Sequence, residues 1–272
     1  MTGHAPKRWG AAHQSRRTVI PALLVFWLII PLTPLLLWAG ASRWSGTARL
    51  PQDLGFRGWQ EALDTGMIAA LARSGLLGVA VALIATPLGS MAGRALGWRL
   101  LHRPALPSVV LLAPVVLAPF AVAMGLDVVI LRLGIPGEVA VVLVLSVFAL
   151  PYTTFTMRAT YLGLDPTLEE QARVLGASSR QARRCVTLPA ATTGLVTATG
   201  LAFLVGWSDY AVTLLIGGGQ IVTAPMLIGS SAAGSGNDAL TSTLAISASL
   251  PPLAALAVFT YTASRRRTAA HS

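Results

Sequence analysis

Lysine is almost missing from this chain of 272 residues, with Lys7 the only one. A phosphate loop of the G-x-x-x-x-G-K-[ST] type is therefore excluded, and any ATP hydrolysis belongs to another chain. Cysteine is as scarce. Cys185 stands alone, which rules out internal disulfides and C-x-x-C chemistry. The histidines, His4, His13, His102 and His271, avoid every long apolar run. Zinc patterns such as H-E-x-x-H are absent, and no metal or cofactor is expected. Only 11% of residues are charged, against about 25% in an average soluble domain. Hydrophobic residues make up 54%. This composition excludes a disordered chain, a disulfide scaffold and an ordinary soluble enzyme. It requires a bilayer as solvent.

Crossing the hydrocarbon takes about 20 apolar residues in a helix. Uncharged stretches of that size cover residues 18–40, 74–93, 104–126, 139–157, 185–208, 210–237 and 239–264. The stretch 210–237 contains Gly217-Gly218-Gly219, Pro225 and a Ser/Gly-rich segment near Gly234. It reads as a helix end followed by a loop, with a short helix around 226–230. A re-entrant segment stays open there. The expected fold is an all-α polytopic membrane protein with six transmembrane helices.

The charge pattern supports six. Lys and Arg concentrate in cytoplasmic loops. With the N-terminus inside, the inner segments hold Lys7, Arg8, Arg16 and Arg17, then Arg94, Arg99 and Arg103, then Arg158, Arg173, Arg180, Arg183 and Arg184, then Arg265–Arg267. Those are fifteen of the 20 basic residues. Asp53, Glu61, Asp64, Asp127, Glu138, Asp209 and Asp238 fall at or near the outer side. Both termini are expected inside. The net charge of +10 is then mostly topology, with some attraction to anionic lipid. Nucleic-acid binding is not expected, because the arginines are split among four segments. Trp38, Trp98, Tyr161 and Tyr261 lie near span ends, where interfacial aromatics are expected.

Arg16-Arg17 before an apolar run, with Ala39-Gly40-Ala41 after it, resembles a cleavable signal. The run of about 20 residues exceeds the 7–15 typical of one, so an uncleaved first span over 18–40 is expected. The organisation reads as a tail over 1–17, one membrane domain over 18–264 and a tail over 265–272.

The most informative segment is the loop 163–189, between the fourth and fifth spans. Asp165 can cap a helix with Pro166 at its first position. Thr167 and Glu170 also have capping-box spacing, which would start it two residues later. Leu168, Ala172 and Leu175 form a short apolar stripe. Gly176 supplies a stop. Ser178 or Ser179 can cap a second helix bearing Arg180, Arg183 and Arg184. Leu188-Pro189 leads into the fifth span. A helix of this kind lying on the lipid surface is the bland alternative.

The spacing points elsewhere. Glu170-Gln171-Ala172, three residues, Gly176, nine residues, then Val186-Thr187-Leu188-Pro189 resembles the "EAA" loop of permease subunits of binding-protein-dependent ABC importers. Gln171 and Val186 are conservative departures from that pattern. The resemblance covers residues 62–267. It implies a non-catalytic permease of the bacterial inner membrane. It implies as partners an ABC ATPase dimer, a second permease subunit of the same or a different chain, an extracytoplasmic solute-binding protein and the lipid bilayer. It also implies that the loop is a coupling element docked in a cleft of the ATPase. Leu168, Ala172 and Leu175 would fill the cleft, Glu170 and Arg173 would make polar contacts at its rim, and Gly176 with Ala177 would form the turn. Leu188 and Pro189 would lead back to the spans.

A helix from 188 to 209 would rise about 31 Å, placing Asp209 near the outer interface or in a water-filled cavity. An acid there is either an interfacial cap or a pathway residue. Trp207 and Tyr210 flank it as interface anchors or substrate stackers. The region from Gly206 through Gly217-Gly218-Gly219-Gln220 to Ala224-Pro225-Met226 is similar to the polyamine-type branch, and an acid suits a cationic cargo. Branches for iron, thiamine, phosphonates and oxyanions have similar layouts. An ion-coupled secondary transporter would usually carry intramembrane acids or histidines, and a membrane enzyme would need a polar cluster at one face. Neither accounts for the loop spacing.

Overall fold

The computed structural model describes residues 26–269 apart from 28, 45–47, 49, 118, 235 and 237, and the backbone alone for 256–269. It is built from helices. In order they are α1 (Leu32–Ala39), α2 (Arg57–Asp64), α3 (Met67–Gly97), α4 (Ala105–Val116), α5 (Pro119–Leu133), α6 (Gly137–Leu162), α7 (Thr167–Val174), α8 (Ser179–Ala182), α9 (Leu188–Ala190), α10 (Thr192–Ser208), α11 (Ala211–Ile216), α12 (Ala224–Ala233) and α13 (Asp238–Ala269). A two-stranded antiparallel hairpin, β1 (Ala41–Arg43) with β2 (Asp53–Leu54), lies between α1 and α2.

Two compact units divide the chain at about residues 65, 230 and 246. In the first, Trp38 stacks on Trp44 with ring centroids 4.4 Å apart. Gly58 of α2 lies so close to α13 that an added Cβ would sit 2.7 Å from the Ala239 carbonyl oxygen.

The second unit carries the loop. Its centre is three long helices, α3, α6 and α10, each packed against the other two. Val81 and Ala85 of α3, Val141 and Leu145 of α6 and Ala202 of α10 are buried there. Van der Waals packing of small residues drives helix association in lipid, because lipid tails are as apolar as leucine. Gly93 shows it. A Cβ there would sit 2.6 Å from Met157 Cβ and 2.8 Å from both Arg158 N and Thr154 O. On the other flank of α3, a Cβ on Gly206 would sit 2.8 Å from Gly78 Cα. The Thr153 hydroxyl of α6 donates to the Ala85 carbonyl of α3 at 3.1 Å.

Among the described residues, α3 and α6 are each long and apolar enough to span by themselves. Two further pairs pass that test only when joined across a bend: α4 with α5, and residues 179–190 with α10. Both bends correct the sequence reading. The third span, expected as one run over 104–126, is two helices that stop at Leu117 and restart at Pro119. Pro119 opens α5, where its missing N–H would have no intrahelical acceptor in any case. The fifth span, expected to run straight from 188, turns by 76° at Ala191. The Thr192 hydroxyl sits beneath the bend, donating to Pro189 O at 2.6 Å and Leu188 O at 3.1 Å. The straight run is then α10, of 17 residues, about 25 Å long.

The first expected span, over 18–40, is described from residue 26 on apart from 28, and that part holds α1; its residues 18–25 lie outside the described residues. The last is helical throughout as α13, and the Tyr261 side chain falls outside the description. The stretch 210–237 holds α11, a glycine turn with Gly218 and Gly219 at φ +58° and +75°, and α12. The short helix expected at 226–230 is therefore ten residues long, about half a hydrocarbon thickness. Ser74 Oγ, buried in α3, accepts the Ala224 N–H at 2.9 Å and pins its start.

Candidate functional site

The loop after α6 is held by local capping at both of its helices. Thr167 N–H donates to Asp165 Oδ1 at 2.9 Å. The first of the two expected starts is thus the one used, with Pro166 ahead of α7. That hydrogen bond holds the Asp165 carboxyl below its ordinary range, so the cap is fully charged at neutral pH. At the other end Gly176 has φ +94°. Its N–H donates to Arg173 O at 3.0 Å, and Ala177 N–H donates to Ala172 O at 3.1 Å. Ser178 and Gln181 then form a reciprocal capping box: Ser178 N–H donates to Gln181 Oε1 at 2.9 Å and Gln181 N–H to Ser178 Oγ at 3.3 Å. A wide π turn, Arg183–Thr187, carries the chain into α9, with Leu188 N–H reaching the Arg183 carbonyl.

The side chains sort cleanly. Leu175 is 88% exposed, Val174 86% and Leu168 45%. Glu170, Arg173 and Gly176 are exposed, and Ala172 and Ala177 half-buried. Of the expected stripe, Leu175 is left uncovered, while Leu168 and Ala172 are partly covered within this chain. Leu188 and Pro189 stay at the surface of α9.

The residue the sequence reading passed over is Glu169. It is buried, and both its carboxylate oxygens accept from Arg94 Nη2 of α3 at 2.9 Å. Oε2 also accepts from the Thr187 hydroxyl at 2.9 Å. The Arg94 guanidinium lies 4.5 Å from the Trp98 ring centroid. Trp98 packs edge-on against Tyr161 at 5.3 Å and donates its indole N–H to the Tyr161 carbonyl at 3.0 Å. Trp98 and Tyr161, expected near span ends, thus pack on each other, as Trp38 does on Trp44.

The second set of residues lies at the junction of α10 and α11. Trp207 is buried, stacks on Phe203 and donates its indole N–H to Ala248 O of α13 at 3.1 Å. Pro252 has no N–H, so the carbonyl four residues earlier lacks its helical donor, and Trp207 supplies one. Trp207, expected as an anchor or a stacker, is thus placed among α10 and α13. Asp209 sits between helices in extended backbone. Its carboxylate accepts from Thr213 N at 2.8 Å, Thr213 Oγ1 at 3.0 Å and Val212 N at 3.5 Å. It caps α11. Tyr210 is 43% exposed and its ring lies against Gly229.

Asparagine serves a cap about as well as aspartate, whereas alanine costs about 1 kcal/mol. Asp209→Asn is therefore expected to keep membrane abundance and uptake within twofold of wild type, with Asp209→Ala lowering abundance. Uptake lost in Asp209→Asn at normal abundance would return Asp209 to the transport pathway.

The family model described as the inner membrane component of binding-protein-dependent transport systems matches residues 85–269. The chain belongs to that family. This permease is 39% identical over 82 residues to the trehalose transport system permease protein SugB of Mycobacterium tuberculosis (strain CDC 1551 / Oshkosh), a stretch covering 30% of either chain. Its fold is similar to a chain of a bacterial ABC transporter involved in the import of the acidic polysaccharide alginate. That match has a TM-score of 0.68 at 16% identity and covers 95% of the permease and 99% of the other chain. At that identity the likeness is one of fold.

Proposed function

We propose that this permease is the non-catalytic membrane subunit of an ATP-driven importer. It docks a separate ATPase dimer through residues 165–189 and forms the pathway together with a second permease subunit. An external binding protein delivers the cargo. The observation that carries the docking reading is the sorting of the loop's side chains. A short helix capped by Asp165 and stopped by Gly176 turns its acid Glu169 inward and leaves Val174 and Leu175 uncovered. Apolar side chains flanked by polar ones on a rigid element fit a partner's cleft. The basic bias of the inner segments supports six spans with both termini inside. A reporter fused after residue 102 reading external would contradict that orientation.

The cargo we infer is a small polar solute of the saccharide class. The two similar proteins serve the transport of a disaccharide and of a polysaccharide. The polyamine reading leaned on Asp209, whose oxygens are engaged by the α11 cap. The test is uptake of a labelled disaccharide by cells producing the complete transporter, with unlabelled disaccharide and unlabelled spermidine as competitors. Competition by sugar alone is expected. Competition by spermidine alone would restore a cationic cargo.

A further inference from the structure

We propose that Arg94, Glu169 and Thr187 form a strut that fixes the orientation of α7 against the span α3, so that the loop and α3 move as one body. The inference rests on the coupling reading of the loop and adds positioning residues to it. Three elements meet at Glu169. It belongs to α7, its two oxygens take Arg94 Nη2 of α3 at 2.9 Å, and Oε2 takes Thr187 of the π turn at 2.9 Å. Arg94 in turn lies over Trp98 of α3, whose indole N–H holds the last turn of α6 through Tyr161 O. Arg94 and Glu169 side chains are 20% and 11% exposed, so solvent screens the pair little. The neighbouring packing is rigid as well, since Gly93 brings the backbones of α3 and α6 into contact. The side of α7 turned away from Glu169 ends in Val174 and Leu175, which are uncovered.

A strut of this kind has a signature distinct from docking. The hydrogen bonds of the Glu169 carboxylate go to Arg94 and Thr187, so removing its charge leaves the exposed Val174 and Leu175 in place. The ATPase stays bound, but its motion is absorbed by α7 swivelling instead of reaching α3. The experiment uses the complete transporter in proteoliposomes, with ATPase and binding protein present. It measures ATPase retention, ATP hydrolysis and uptake for Glu169→Gln, Arg94→Met and the double variant Arg94→Met/Glu169→Met. Expected are wild-type retention in all three and about a tenfold fall in solute moved per ATP hydrolysed in each single variant. The double variant is expected to be no worse than the worse single, because residues in one ion pair do not act additively. A solute-to-ATP ratio within twofold of wild type in Glu169→Gln overturns the strut. So does loss of the ATPase from Glu169→Gln, which would make Glu169 a docking residue. If the Glu169 variants fail to reach the membrane, Thr187→Val decides, since it removes one hydrogen bond at nearly constant volume. A twofold to threefold lower ratio supports the strut and an unchanged ratio overturns it. Failure of the wild-type permease to retain any ATPase would instead sink the coupling reading itself.

Discussion

A permease carrying Gly176→Val is expected to reach the membrane in normal amount and to lose its ATPase there. Two effects add. Gly176 has φ +94°, where an L residue is strained by about 1–2 kcal/mol and a β-branched one is a genuine outlier. The second effect lies outside this chain. A Cβ at Gly176 meets nothing within 4 Å, so the new side chain is accommodated internally and projects toward whatever docks on the loop. A loss of about 1.4 kcal/mol is tenfold in an equilibrium, so retention of the ATPase below about a tenth of wild type is expected, with uptake abolished. Gly176→Asn separates the effects, because Asn enters the left-handed region more readily. Partial retention in Gly176→Asn assigns the loss to backbone strain, and equal loss assigns it to close approach of the partner. Copurification from membranes at matched permease abundance is the measurement. Normal retention in Gly176→Val would remove the turn from the coupling element.

The second large effect is on assembly of the spans. Gly93→Ala is expected to lower the amount of folded permease in the membrane severalfold, and Gly93→Leu to abolish it. Overpacking costs about 1–3 kcal/mol where side chains can shift. At Gly93 two of the three nearest obstacles are backbone atoms, Arg158 N and Thr154 O at 2.8 Å. The helices α3 and α6 must separate to make room, which places the cost at or above the top of that range. Gly200→Ala on α10 is the control, since a Cβ there meets nothing within 4 Å. Protease resistance of the two variants in detergent is the assay. Equal resistance would mean that α3 and α6 do not pack through Gly93.

What the sequence makes legible follows from the range of each interaction. The caps at Asp165 and Ser178 and the turn at Gly176 depend on neighbours within four residues, so residue type and spacing suffice to place them. The apolar stripe of α7 was legible as a pattern, but only the fold decides that its Leu175 stays uncovered. The Arg94–Glu169 pair joins residues 75 apart. No local rule favours Glu169 over its neighbour Glu170, and one turns inward while the other faces out. The bend at Ala191 was hidden because Leu188-Pro189 reads equally well as the start of a span. Pro252 did carry a signal, since it must orphan the Ala248 carbonyl, but nothing in the sequence names Trp207 as the donor. Asp209 was placed correctly at a helix boundary. Its capping of the following helix, through Thr213, depends on backbone direction.

The central claim, that α7 seats in a separate ATPase, is tested most directly by a photoreactive residue at position 175. Leu175 is 88% exposed at the tip of α7. On irradiation of membranes holding the complete transporter, the account predicts an adduct whose mass is that of permease plus ATPase, with no such adduct when the same group replaces exposed Leu131 of α5. An adduct with lipid alone at position 175, in membranes that contain the ATPase and support uptake, would contradict it.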